Sequence, residues 1–167
     1  MIHTEQNLQS AFARESQTMV RYLLYAEKAE KQGYPLIARA FRAASEAEMV
    51  HIRNIFNAMT GAGSVKDNLL ACVITEEADA KKIYPEFIYQ AREERAELAR
   101  NAFEMANKGD QIHYDVFNDT LEGVKSDREI TDEPYYVCQI CGNMVKGAAP
   151  DTCSICSTSR DKFKKIM

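Results

Sequence analysis

An all-α four-helix bundle followed by a small C-terminal metal-binding domain is the fold class this 167-residue sequence predicts, on three observations. From Thr4 to Val124 only two Pro occur, and Ala, Glu, Leu, Arg and Lys dominate, which favours helix over strand. Within that region acids and histidines recur on apolar helix faces. Four of the five Cys form two Cys-x-x-Cys pairs near the C-terminus, which in a reducing compartment means metal. The expected domains are a bundle over 1–124, a polar linker over 125–134 and a metal-nucleated module over 135–167.

Composition narrows the functional classes. A hydrophobic fraction of 46% supplies a core, and a formal charge of −4 with no long basic run recruits no nucleic-acid backbone. The N-terminal MIHTEQNLQSAFARES shows neither an apolar signal core nor a basic start, and no apolar run approaches membrane-spanning length. A cytoplasmic location without membrane or nucleic-acid partners is expected.

The four helices are expected to run roughly 25 residues, about 37 Å each at 1.5 Å per residue. Gly33-Tyr34-Pro35 separates the first two, and Gly61-Ala62-Gly63-Ser64 the second and third, with Gly as C-cap and Ser as N-cap. The chain must turn again between Arg92 and Glu97, although no Gly or Pro marks the place. Pro85 sits inside the third helix or kinks it, since helical pattern continues on both sides.

An internal repeat runs through these helices. Tyr22, Leu36, Ala40, Phe41 and His51 recur as Tyr84, Leu98, Ala102, Phe103 and His113, all at an offset of 62. Glu48 maps to Asp110 by the same offset. Glu15 maps to Glu77 at 62 and to Glu76 at 61, so that helix's register is open by one residue.

Periodicity points an acid inward from every helix. The buried stripes are Leu8, Phe12, Met19, Tyr22 and Ala26; Ile37, Phe41, Ala44, Ile52 and Ile55; Leu69, Val73, Ile83 and Phe87; and Ala99, Phe103, Ala106, Phe117 and Leu121. Glu15, Glu48 with His51, Glu76 with Asp79 at its edge, and Asp110 with His113 fall on those lines. Unpaired buried carboxylates each cost several kcal/mol, so this many require compensating cations or protonation, and a metal centre supplies the former. One acid from each of two helices and an acid-x-x-His pair from each of the others is the carboxylate-bridged dinuclear pattern of helix bundles. Glu15, Glu48, His51, Glu76, Asp110 and His113 match it, and Asp79 offers a further ligand. Carboxylate mixed with imidazole suits iron or manganese better than structural zinc. A core histidine is the ordinary explanation of one such His; two copies, each three residues after an acid, favour metal.

Cys138-x-x-Cys141, eleven residues, then Cys153-x-x-Cys156 reads as a four-thiolate site for one iron or zinc. Cys72 reads as an inert buried thiol.

With these residues in place the chain resembles rubrerythrin, a ferritin-like di-iron bundle followed by a rubredoxin-like iron–tetrathiolate domain. The resemblance covers nearly the whole chain, through ARESQTMVRYLLYAEKAEKQGYP around Glu15, AEMVH with Glu48 and His51, IYPEF after Glu76 and Asp79, QIH ending at His113, and the four cysteines. It implies two irons in the bundle and one in the tail, with Tyr22 and Tyr84 near the carboxylates. Its spacing from Tyr84 and Pro85 selects Glu76 over Glu77 and makes Asp79 the redox-mobile carboxylate. It also implies a peroxidase that reduces hydrogen peroxide to water with electrons relayed through the tetrathiolate iron. Rubredoxin or an NAD(P)H-dependent reductase would be the redox partner, and the assembly a head-to-tail homodimer.

The chain departs from the family pattern at Asp79 and Asp110, where Glu is usual, and at Gly109, which reads as a helix-weakening turn residue. Gln139 and Ser154 replace Pro, and Ser157 replaces a knuckle Gly. Two other functions stay open: a ferroxidase or iron-handling bundle with the same ligands, and a zinc-ribbon binding module with a degenerate di-iron site. At Gly109 the alternatives are a decayed second site and a backbone approach that restores the reach Asp110 has lost.

Overall fold

The structure is a computed structural model that describes residues 2–59 and 61–167. It divides into two compact units, 1–63 and 64–167.

The first unit is a hairpin of α1 (Ile2–Lys31) and α2 (Pro35–Met59). Gly33 takes a left-handed φ of 81°, which lets Tyr34 donate its N–H to Ala29 O at 2.9 Å, and Pro35 opens the next helix with its φ already fixed. Ala26, Ala29 and Ala38 form the tightly buried seam, capped by Phe41. Small side chains bring the two backbones close enough for Ser45 Oγ to donate to Met19 O at 3.1 Å.

The second unit opens at Ser64, whose side chain caps the Asp67 N–H while Asp67 reaches back to the Ser64 N–H. From there α3 (Val65–Ala78), a π turn (Asp79–Ile83) and α4 (Tyr84–Glu93) form one uninterrupted helical run. Pro85 lies inside that run, directly after the π turn, as its flanking pattern predicts. The unmarked turn falls where it was expected: α5 (Glu97–Lys125) starts after Arg95, which takes a φ of 57°. Arg95 is the repeat equivalent of Gly33, and Ala96 N–H to Ala91 O (2.8 Å) repeats the Tyr34–Ala29 bond. The turn is built as in the first hairpin, with a residue that has a Cβ in the position that favours glycine.

The tail forms a three-stranded antiparallel sheet of β1 (Tyr135–Cys138), β2 (Met144–Lys146) and β3 (Phe163–Ile166), in the order β2-β1-β3. Tyr136 faces Val145 on one side and Lys165 on the other. The preceding polar segment is more than a tether. After Asp127 turns the chain with φ 52°, Arg128 folds back over α5 and donates to the carbonyl (2.9 Å) and carboxylate (2.7 Å) of Asp119.

Two sequence expectations about burial are corrected. Ile37 (50% exposed), Phe87 (41%) and Ile83 lie on open faces of their own hairpins, because a helix pair buries only the seam between its members. The same cause leaves His51 exposed.

Candidate metal centres

The metal-ligand types gather in three places. Glu15, Glu48 and His51 come together on the first hairpin, and Glu76, Asp110 and His113 on the second, each set with its ligand atoms within 4.8 Å of one another. The sets are near copies. His51 Nδ1 lies 3.4 Å from Glu15 Oε2 and 3.1 Å from Glu48 Oε2; His113 Nδ1 lies 3.5 Å from Glu76 Oε2 and 3.6 Å from Asp110 Oδ1. Asp110, one methylene shorter than Glu, therefore still reaches the cluster.

The π turn accounts for the register that the repeat left open. It inserts one residue into the third helix between the acids and Tyr84, so the offset of 62 that holds from Tyr84 onward becomes 61 before it. Glu76 faces Asp110 and His113, while Glu77 pairs at the surface with Lys81 at 2.6 Å.

The sets differ in electrostatic surroundings. In the first, hydrogen bonds to Glu48 and then His51 hold Glu15 below the ordinary carboxylate range, and bonds to Glu48 and then Glu15 raise the His51 ring above its usual pKa. His51 is 59% exposed there. In the second, Glu76 and Asp110 are 21% and 17% exposed, and desolvation pushes both upward. Asp79, at the start of the π turn, adds its charge to both in the same direction. Asp79 is not one of the three converging donors of that set. Burial, and after it the charges of Asp110, Asp79 and Glu76, raise the Tyr84 phenol. Its ring packs on Phe103 at 6.2 Å between centroids, as Tyr22 packs on Phe41 at 6.3 Å.

The third place is the tail. Cys138, Cys141, Cys153 and Cys156 converge, with Cys138 and Cys156 Sγ 3.7 Å apart and Cys141 and Cys153 Sγ 3.5 Å apart. A tetrahedron of ~2.3 Å metal–sulfur bonds has edges of about 3.8 Å, so these thiols are spaced for one ion. The two knuckles repeat: Cys138 N–H bonds to Asn143 O and Cys153 N–H to Thr158 O, with Gly142 (φ 77°) and Ser157 (φ 59°) left-handed after the second cysteine of each pair. Burial opposes ionisation of Cys153, but N–H donors from Cys156, the Asn143 side chain and Ile155 outweigh it and lower the thiol to about 6.

Asn143 is a residue that sequence reading missed. It is almost fully buried and its Nδ2 donates to Cys153 Sγ at 3.4 Å. Following Gly142 it reads as an ordinary turn residue, and only the fold turns its amide onto a thiolate.

Two hairpins that each carry a carboxylate–histidine triplet, with a tetrathiolate module after them, define a class: helical non-haem iron proteins with an appended tetrathiolate iron site. Comparison with known proteins agrees. The rubrerythrin family model matches residues 6–71, and the model of the rubrerythrin rubredoxin-like domain matches 136–164. Rubrerythrin-2 of Clostridium acetobutylicum is 30% identical over 94% of this chain and 93% of its own, and nigerythrin of Nitratidesulfovibrio vulgaris is 29% identical over 96% and 85%. Among solved structures, partially reduced nigerythrin is similar with a TM-score of 0.60 at 28% identity, covering 98% of this chain and 86% of that one. The chain belongs to the rubrerythrin family. Its fold class is therefore the ferritin-like all-α one with a C-terminal rubredoxin-like domain, and its cofactors are a di-iron centre and a rubredoxin-like iron, for which the two kinds of donor set are chemically suited. Among the described residues no helix is long and apolar enough to cross a membrane.

Proposed function

We propose that this protein is a non-haem iron peroxidase that reduces hydrogen peroxide to water, with electrons supplied through its tetrathiolate iron. The observation that carries the reading is the coexistence of two matched carboxylate–histidine triplets and a tetrathiolate module in one chain. A relative solved in an all-ferrous state, nigerythrin, supports a centre that cycles between oxidation states.

Glu15, Glu48, His51, Glu76, Asp110 and His113 are assigned as ligands of the two irons, with Asp79 as the additional carboxylate. Cys138, Cys141, Cys153 and Cys156 hold the third. When bound, the paired irons supply two electrons to the peroxide, which with two protons yields two waters. Tyr84, whose phenol is raised by burial and by the charges of the second set's acids, is assigned to hold a proton or a hydrogen bond there; Tyr22 holds the repeat-related position. A head-to-tail homodimer is supported by exposed apolar residues such as Leu24 and Leu98, and a reducing, cytoplasmic compartment by five unpaired cysteines. Rubredoxin or an NAD(P)H-dependent reductase is the donor this chemistry requires.

Peroxide consumption by the iron-loaded protein with a reductant tests the assignment. Asp110→Ala is expected to abolish turnover and leave the tetrathiolate absorption intact. Undiminished turnover would contradict the ligand assignment. Consumption of ferrous iron in place of an electron donor would replace the peroxidase by a ferroxidase.

A further inference from the structure

Each hairpin carries two carboxylates and one histidine, which is half of the donor set of a carboxylate-bridged dinuclear centre. In both acid-x-x-His pairs the histidine follows its acid by three residues, about 4.5 Å further along the helix. Two ions that share acids take one histidine each, on opposite sides of those acids. His51 and His113 meet that condition if α2 and α5 run in opposite directions where their acids converge; running the same way, both imidazoles fall on one side and one ion has none. Because α5 returns antiparallel to the run that begins with α3, an α3 in such a centre is parallel to the α2 beside it.

The connector decides which α3 that is. Met59 ends α2 and Val65 begins α3, so residues 60–64 alone join them, and the Cα–Cα steps from 59 to 65 reach at most about 23 Å. Glu48 and His51 precede Met59 by eleven and eight residues, or about 12–16 Å of helix, and Glu76 follows Val65 by eleven, about 16 Å. With parallel helices and their donors level, the end of α2 and the start of the neighbouring α3 are therefore about 30 Å apart, at opposite ends of the bundle. The connector does not span that distance, so the α3 beside a given α2 belongs to another copy of the chain.

The open faces of the hairpins agree. Tyr25, Ala29 and Phe41 line an apolar groove of about 300 Å³ beside the turn of the first hairpin, and Phe87, Ala91 and Phe103 line one of about 310 Å³ beside the turn of the second. All three pairs stand at the repeat offset of 62. Matched grooves on both halves of a repeat are the kind of surface that two copies cover reciprocally about a two-fold axis.

We propose that the dinuclear centre is built in trans: Glu15, Glu48 and His51 of one chain form it with Glu76, Asp110 and His113 of a second copy, and the two chains exchange hairpins to make a pair of such centres. This rests on the ligand assignment under Proposed function, and it makes the exchanged hairpins the contact of the homodimer named there. The site is incomplete without the partner copy.

Complementation tests this without turnover. Full-length chains carrying E48A with H51A under one affinity tag, and D110A with H113A under another, are co-expressed, and the doubly tagged dimer is isolated. Exchange puts both damaged halves into one centre and leaves the other intact. The mixed dimer is expected to retain half of the wild-type helical iron through dialysis against a chelator, and the homodimer of either variant none. Circular dichroism and the tetrathiolate absorption check that each variant is folded. A mixed dimer with no more helical iron than the variants would overturn the proposal. Sedimentation gives a second, metal-free readout: wild-type protein is expected to be dimeric, and a chain with about twelve Gly and Ser residues inserted after Gly61 monomeric, because the longer connector lets one chain's hairpins pair. A monomeric wild-type protein, or an insertion variant that stays dimeric, would contradict the exchange. Absence of helical iron from the wild-type protein would instead overturn the ligand assignment, and sedimentation would still decide the exchange.

Discussion

Ser157 shows how one residue carries a measurable cost. It repeats the left-handed geometry of Gly142 in the other knuckle, at φ 59°, and a residue with a Cβ pays roughly 1–2 kcal/mol there. Ser157→Gly is expected to stabilise the metal-loaded module by about 1 kcal/mol, read as slower loss of metal to a chelator during denaturant titration. Asn143 works in the opposite sense, since its amide favours the ionised Cys153. Asn143→Leu is expected to raise that thiol above its value of about 6 and to lower the reduction potential of the bound iron, which spectroelectrochemistry measures. Glu76 and Asp110 have raised pKa values in the metal-free fold. The unfolded chain loses those protons at ordinary carboxylate pH and the folded chain only at higher pH. Metal-free stability therefore falls as pH rises through that window and stays lower above it. Glu76→Gln is expected to stabilise the metal-free protein near pH 7 by about 1 kcal/mol while removing metal binding by that set, as thermal melts with and without iron will show. The convergence of these side chains was legible in sequence because they recur in matched acid-x-x-His pairs. The role of Asn143 was not legible, since a turn asparagine and a thiolate donor look alike until the knuckle is folded.

At the scale of elements, the third helical run carries the most information. Its π turn explains why the repeat slips by one residue, and no local propensity in Asp79-Ala80-Lys81-Lys82-Ile83 announces it. What the sequence did show was the slip itself, as the two possible partners of Glu15. Deleting Ala80 should return the segment to an α-helix with Glu76 seven residues before Tyr84, the spacing of Glu15 and Tyr22 in the first helix. Circular dichroism is expected to stay helical and iron titration to show metal binding by the second triplet retained; loss of that binding would contradict the π turn as a one-residue insertion. The turn at Arg95 is a second case: chain return demanded it, but no glycine marked it. Arg95→Gly is expected to raise the melting temperature, the strain at φ 57° being relieved. The seam of the first hairpin, by contrast, was only partly readable, because periodicity finds apolar lines but cannot say which of them a two-helix contact covers. Ile37 and Ala38 are adjacent in sequence, yet one is half exposed and the other fully buried.

For the whole molecule, fold class and the kinds of metal site followed from composition, repeat and cysteine spacing, since each is dictated by the chemistry of the side chains. The close approach of the tail to α5 did not follow: Gly109 reads equally as damage and as accommodation until a Cβ built there is found 3.9 Å from the backbone oxygen of Cys141. The central claim is that electrons leave a tetrathiolate iron for a carboxylate–histidine iron centre that reduces peroxide. Its most direct test is to mix anaerobically reduced, fully iron-loaded protein with hydrogen peroxide and follow the ferric-thiolate absorption in a stopped-flow instrument. The account predicts that this absorption appears as peroxide is consumed, and that in Asp110→Ala peroxide leaves the tetrathiolate ferrous. Peroxide consumed while the wild-type tetrathiolate stays ferrous throughout would contradict it.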